Sequence, residues 1–265
     1  MSGNIVKQII QSYFLKIYAL FVSTGFLSKP WIRTVFYVLY DWYKLFIEAG
    51  DIRFLKNYVK PGGVVIDIGA NVGFFTKRFA QWVSDGGFVI ALEPEKSNLH
   101  QLKKNLDKSG AIDVVKIVKG VAAEHTGTLK LAVNPIHPGD HKIAEEGEEI
   151  SSFTIDELVL RETATPVCLL KIDVQGAEER VLRGALDTIQ RDHPAIFIEL
   201  DDEALQKMGS SAGRVVNLLM DLDYRVKRFG KNPDSGQIKP EEVIKMCLNG
   251  RYKDVLFVYN PCIEL

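Results

Sequence analysis

Val64-Val65-Ile66-Asp67-Ile68-Gly69-Ala70-Asn71-Val72-Gly73-Phe74 is the stretch whose reading decides the fold. A β-branched apolar run takes up an acid and then breaks into glycines on either side of an asparagine. A helical pattern begins directly after Gly73. Strand, tight turn and helix in that order is the unit with which a parallel sheet binds a nucleotide-like ligand at its carboxyl edge. Glycine lets the backbone turn sharply and approach a ligand closely, and the helix N-terminus behind it offers N–H groups. Asp67 narrows the ligand. A loop built for pyrophosphate is poorly served by a carboxylate in its mouth, whereas a cationic group is well served.

The next strand adds a second acid. Phe74, Phe75, Phe79 and Trp82 give a helical apolar face that ends at Asp85-Gly86-Gly87, and Phe88-Val89-Ile90-Ala91-Leu92 is a buried strand finishing at Glu93-Pro94. Glu93 stands where a carboxylate accepts the ribose hydroxyls of an adenosine. A cation-binding acid and a ribose-binding acid together point to S-adenosyl-L-methionine, whose amino and sulfonium groups are cationic. On this reading Asp67 with Gly69, Ala70, Asn71 and Gly73 holds the methionine part, and Glu93 holds the ribose. Val114–Val118 is a third strand, and the small residues after it, among them Val121 and Ala122, leave room for the adenine ring.

Two further strands end in acids. Val167-Cys168-Leu169-Leu170-Lys171-Ile172-Asp173 runs into Val174-Gln175-Gly176-Ala177-Glu178, and Ala195-Ile196-Phe197-Ile198 ends at Glu199. Adjoining the first strand in a parallel sheet, the former would aim Asp173 into the same crevice as Asp67. Asp173 is therefore the first candidate for a general base. The irregular loop Asn134–Lys142 carries two of the five histidines; His141, with a pKa range suited to proton transfer, is the second candidate. Glu199 is placed to orient either of them or the acceptor. Nothing in the spacing of these acids demands a metal ion. After them, Val215–Met220 reads as a helix, and Tyr224–Phe229 and Asp254–Tyr259 read as two closing strands joined across a long loop, an antiparallel hairpin.

A hydrophobic share of 46% and a charged share of 25% are those of an ordinary globular chain, and a formal net charge of -1 supplies no basic field for nucleic acid. Cys168, Cys247 and Cys262 show neither metal-ligand spacing nor a disulfide framework, which favours a reducing, cytoplasmic setting. The segment Ile5–Ala49 is strongly apolar and aromatic, but Lys7, Lys16, Lys29 and Arg33 interrupt it, so no uncharged run reaches the roughly 18 residues of a spanning helix. Lys16 also spoils the apolar region of a secretory signal. Two helices, about 5–27 and 31–48, describe it most simply: a lid on the catalytic domain, a homodimer contact, or a peripheral membrane contact. The expected domains are thus 1–50, helical, and 51–265, catalytic.

Taken together, Ile66–Gly73, Ala91-Leu92-Glu93-Pro94, Thr154-Ile155-Asp156-Glu157-Leu158, Leu170–Glu178 and Ile198-Glu199-Leu200 resemble the FkbM family of S-adenosylmethionine-dependent methyltransferases. The resemblance covers about Val64–Leu200. It implies an α/β class I methyltransferase (Rossmann-like) fold, with a mostly parallel seven-stranded sheet closed by the C-terminal hairpin, here preceded by the N-terminal helices. It also implies O-methylation of a hydroxyl on a sugar, glycan or natural-product acceptor. Many members carry glutamate where Gln175 stands, so no direct acid role is expected of that position. Two other classes remain open at this point: a non-catalytic, membrane-associated scaffold with a vestigial cofactor pocket, and an NAD-dependent oxidoreductase. The latter would want glycine at Asn71 and no acid at Asp67.

Overall fold

The computed structural model describes residues 52–132, 142–227, 236–248 and 252–260. The N-terminal segment and its expected helices lie outside these residues, as do His141, Asp140 and Cys262. Two compact units divide the chain, Met1–Arg53 with Asn134–Pro138 and Phe54–Val133 with Gly139–Leu265; the account below concerns the second. No helix among the described residues is long and apolar enough to cross a membrane.

Strands and helices alternate from the turn at Pro61-Gly62-Gly63 onward. The first half runs β1 (Val64–Ile68), α1 (Phe74–Trp82), β2 (Phe88–Glu93), α2 (Lys96–Ser109) and β3 (Val115–Lys119). After an excursion described below come α3 (Ile155–Glu162), β8 (Val167–Ile172), α4 (Glu178–Arg183), α5 (Leu186–Asp192), β9 (Ala195–Asp201), α6 (Asp202–Lys207) and α7 (Ala212–Asp221). The chain closes with β10 (Tyr224–Lys227), α8 (Pro240–Cys247) and β11 (Tyr252–Tyr259). The main sheet has the order β10-β11-β9-β8-β1-β2-β3. Its pairings are parallel from β9 to β3, while β11 runs antiparallel to both β9 and β10. This is the Rossmann-like sheet with an antiparallel C-terminal hairpin expected from the sequence.

Strand residues alternate between the two faces of a sheet, so each strand here feeds two cores. Val64, Ile66 and Ile68 join Ile90, Leu170 and Ile196 on the face covered by α3, α4, α5 and α7, where Leu158, Leu182, Ile189 and Leu219 pack. Val65, Val89, Leu169 and Phe197 line the opposite face beneath α1 and α2, against Phe79, Leu99, Leu102 and Leu106. The caps stop and start these helices as the sequence suggests. Thr154 accepts from Glu157 N at the start of α3, and Gly110 ends α2 in the left-handed conformation.

Between β3 and α3 the chain builds a second sheet that the sequence reading did not anticipate. It contains β4 (Val121–Ala122), β5 (Gly127–Ala132), β6 (Lys142–Ile143) and β7 (Glu148–Phe153), in the order β4-β7-β5-β6. Glu145, Glu146, Glu148 and Glu149 are exposed. Ala122 points into the main core beside Ile155 and Leu158 and is only 3% exposed. Val121 and Ala122 pair in parallel with Ser152 and Phe153. Val121 stays half-buried.

Candidate active site

Register sets the geometry of the site. The four acids sit on the four adjacent parallel strands β9, β8, β1 and β2, all on the face beneath α1 and α2. They are not at one level. Asp67 pairs with Lys171 and Ala91, and Lys171 pairs with Phe197. Ile68 pairs with Leu92 and Ile172, and Ile172 with Ile198, so Gly69, Glu93, Asp173 and Glu199 share the outer layer, two residues further along.

Asp67 is consequently 0% exposed and lies one layer below the mouth of the loop. Its Oδ2 accepts from Thr76 Oγ1 of α1 at 2.6 Å. Its Oδ1 lies 3.3 Å from the Lys171 ammonium without hydrogen-bond geometry. The cation beside Asp67 is supplied by the protein itself.

Glu93 is likewise turned inward, at 3% exposure. Its Oε1 accepts from Glu95 N at 3.0 Å and Asn98 Nδ2 at 3.1 Å, and its Oε2 accepts from Asn71 N at 2.8 Å. Burial pushes its pKa up to about 7, against the pull of those three donors. Oε2, with its single N–H, keeps a lone pair for a further donor such as a ribose hydroxyl.

The loop between them is braced rather than open. Gly69 N and Ala70 N both donate to Leu92 O, and Gly73 N donates to Ala70 O. From α2, Asn105 donates to Val72 O at 2.7 Å. Gly69 takes φ +76° and passes so close to β8 that a Cβ on it would lie 2.0 Å from Asp173 O. Asn71 is also left-handed, at φ 51°. Gly73 caps α1 at φ 90° over Leu102, whose Cδ1 would stand 2.6 Å from an added Cβ. Gly69 and Asn71 are half-buried, whereas Ala70 and Gly73 are buried.

At the outer layer of β8 and β9 the carboxylates reach the crevice. Asp173 has a side chain 28% exposed, and Glu199 is half-buried. Gln175, with φ 55°, stands between them and donates through Nε2 to Asp173 Oδ1 at 3.3 Å and Glu199 Oε2 at 3.1 Å. Lys171 Nζ approaches Asp173 Oδ2 at 3.4 Å from the other side. Glu178, 2% exposed, accepts from Val174 N and Gly176 N and shapes this turn, and burial raises it to about 7. Thus Asp173 and Glu199, expected in one crevice, are brought together. Lys171 and Gln175 are the functional residues that the sequence reading left unassigned. The signal for Lys171 was a lysine inside an otherwise apolar strand.

Acids at the strand edge, a Glu93 carboxylate with a lone pair left on Oε2 and a left-handed loop pressed against β8 fit a cationic, adenosine-bearing group such as S-adenosyl-L-methionine. Comparison with known proteins agrees. The family model described as the methyltransferase FkbM domain matches residues 67–226. The hexuronic acid methyltransferase AglP of Haloferax volcanii is 29% identical over 145 residues, 54% of this chain and 58% of that protein. The 31-O-demethyl-FK506 methyltransferase FkbM of Streptomyces tacrolimicus is 24% identical over 230 residues, 68% of this chain and 84% of that one. Three curated relatives, AglP among them, are spanned over 58%, 44% and 48% of their own length, about half. A crystal structure of a methyltransferase FkbM from Methylobacillus flagellatus KT aligns with a TM-score of 0.49 at 18% identity, covering 82% of this chain and 47% of that one. With the family match running from Asp67 through β10 and taking in all four strand-end acids, the chain belongs to the FkbM methyltransferase family, whose cofactor is S-adenosyl-L-methionine.

Proposed function

We propose that this chain transfers the methyl group of S-adenosyl-L-methionine to a hydroxyl of a sugar, glycan or natural-product acceptor. The observation that carries this reading is the division of the acids into two sets. Asp67 and Glu93 are buried beside the donor loop, while Asp173 and Glu199 face the crevice and remain able to meet an acceptor. AglP, by its name, methylates a hexuronic acid, and the Streptomyces relative acts at an oxygen of a demethyl-FK506, which supports hydroxyl-bearing acceptors.

S-Adenosyl-L-methionine supplies an electrophilic methyl on a sulfonium; the protein supplies placement and a proton acceptor. Gly69, Asn71 and the α1 N-terminus hold the methionine end, Glu93 Oε2 accepts from the ribose, and Val121 borders the adenine. Asp67 acts at one remove, through Thr76 and Lys171. An acceptor hydroxyl loses its proton as the new C–O bond forms, when that proton is strongly acidic, so a carboxylate suffices as base. Asp173 takes that part, and its pairing with Lys171 keeps it aimed. Glu199 orients the acceptor, and His141 is the second candidate base.

Full-length protein, labelled donor and a panel of hexuronic acids, neutral sugars and hydroxylated macrolides test the proposal. Transfer to oxygen is expected, with Asp173→Asn lowering turnover by about 10²–10⁴-fold while donor binding persists. His141→Ala separates the two candidates. Saturating S-adenosylmethionine, at about 100 times its Kd, should add about 2.7 kcal/mol of thermal stability, and NAD should add none. Stabilisation by NAD alone, or methylation confined to nitrogen or carbon acceptors, would refute the reading.

A further inference from the structure

Lys171 is a fully enclosed lysine, 2% exposed, on a strand position where its neighbours Leu169 and Phe197 are apolar. Burial by itself would pull its pKa down, but Asp173 and Asp67 more than offset that and hold it above the ordinary lysine value. The ammonium has four oxygen neighbours within reach. Two are carboxylates, Asp67 Oδ1 at 3.3 Å and Asp173 Oδ2 at 3.4 Å. Two are backbone carbonyls at the end of β1, Ile68 O at 3.3 Å and Gly69 O at 2.7 Å. The Phe75 ring of α1 lies 5.4 Å away.

These partners fall on the two sides of the proposed reaction. Gly69 O belongs to the loop that holds the donor, and Asp173 is the carboxylate that meets the acceptor. The backbone alone joins the two sides through a single bond at this level, Asp173 N to Ile68 O at 3.1 Å. A charge-assisted contact from Lys171 is roughly twice as strong as a neutral one, and here it is buried.

We propose that Lys171 is a positioning residue for methyl transfer: one ammonium ties the donor loop at the end of β1 to Asp173 at the end of β8, so that the two keep a fixed separation. The chain Thr76–Asp67–Lys171–Asp173–Gln175–Glu199 then runs unbroken from α1 across three strands. Asp67 keeps the lysine charged, and the lysine hands that fixed position to Asp173. The proposal rests on the donor-site reading given above for its catalytic meaning, though not for the linkage itself.

Lys171→Met alone strands the buried Asp67 charge and is expected to unfold the chain. The working comparison is therefore Asp67→Asn against the Asp67→Asn/Lys171→Met double variant, in which the lost ammonium leaves no buried carboxylate behind at position 67. Urea unfolding, amide hydrogen exchange and calorimetric titration with S-adenosylmethionine are measured on the full chain. The double variant should unfold close to Asp67→Asn, while amides of both 68–71 and 173–176 exchange about 10-fold faster and donor affinity falls about 10-fold, the size of a lost charge-assisted contact. Exchange that rises in only one of the two segments, or in neither, overturns the linkage. So does a uniform rise that merely follows global stability. Absence of donor binding by the unaltered protein would instead remove the donor-site reading, and the exchange comparison would still decide the role of Lys171.

Discussion

Gly69→Ala tests the geometry on which the site depends. At φ +76° an alanine pays the left-handed penalty of about 1–2 kcal/mol. Its Cβ would also stand 2.0 Å from Asp173 O, where ordinary contact begins at 3.4 Å. The obstruction is backbone, not the tip of a flexible side chain, so β1 and β8 must part by more than an ångström at this level. That movement loosens Asp173 N to Ile68 O and Lys171 Nζ to Gly69 O. Overpacking of this kind costs about 1–3 kcal/mol, giving a total of about 2–5 kcal/mol. Gly86 is an internal control, with φ +82° and nothing within 4 Å of an added Cβ. Gly86→Ala should therefore cost only the conformational part, about 1–2 kcal/mol. In urea, with a slope of about 2 kcal/mol/M, the Gly69 variant should lose roughly 1–2.5 M in midpoint and the Gly86 variant about 0.5–1 M. Equal losses for the two variants would refute the close approach of β1 and β8.

Glu93→Gln removes a group whose value in the folded chain is about 7 against an ordinary 4.5. A raised carboxyl holds its proton more tightly when folded, so its favourable contribution is complete below pH 4.5 and is lost as pH climbs to about 7. Relative to the unaltered protein, the variant should gain about 3 kcal/mol between pH 4.5 and 8, read from urea midpoints at the two values; a difference independent of pH would be the contrary result. Gln175→Glu would set a third carboxylate against Asp173 Oδ1 and Glu199 Oε2, which now accept from its amide. The like charges raise the new group's pKa, so a loss of about 1–3 kcal/mol at pH 8 should shrink as pH falls to 5. Melting temperatures at both values check this, and an equal Tm at pH 8 would count against the bridging role of Gln175.

The layering of the acids bears on how such a site discriminates. Asp67 and Lys171 form a neutralised pair one layer down, 0% and 2% exposed, so they add little net field at the mouth. Asp173 and Glu199 stand above them at the surface of the crevice, where a sulfonium would sit. On the function proposed above, the outer layer would attract the cationic donor while the inner one braces the loop.

Much of this was legible in the sequence because it is written in local order. The run Val64–Phe74 announces strand, turn and helix; Thr154 with Glu157 announces the start of α3; and four apolar runs ending in acids announce parallel strands with a common edge. Alternation of strands with amphipathic helices is a property of neighbouring residues, and it carried the sheet and its closing hairpin. The second sheet was less visible: β4 and β6 are two residues long, and pairing between such short strands leaves almost no periodic trace.

What only the tertiary structure decided is the level at which each residue stands. Strand register is a relation between segments up to a hundred residues apart, and a shift of two residues moves a side chain from the crevice into the core. Asp67 and Asp173 look alike in sequence, each an acid next to a glycine turn. Pairing Asp67 with Lys171 buries the first, while the same register lifts the second, two residues beyond Lys171, to the mouth. The sequence determined that acids collect at the edge of a parallel sheet; register alone determined which of them lie buried beside the loop and which reach the crevice.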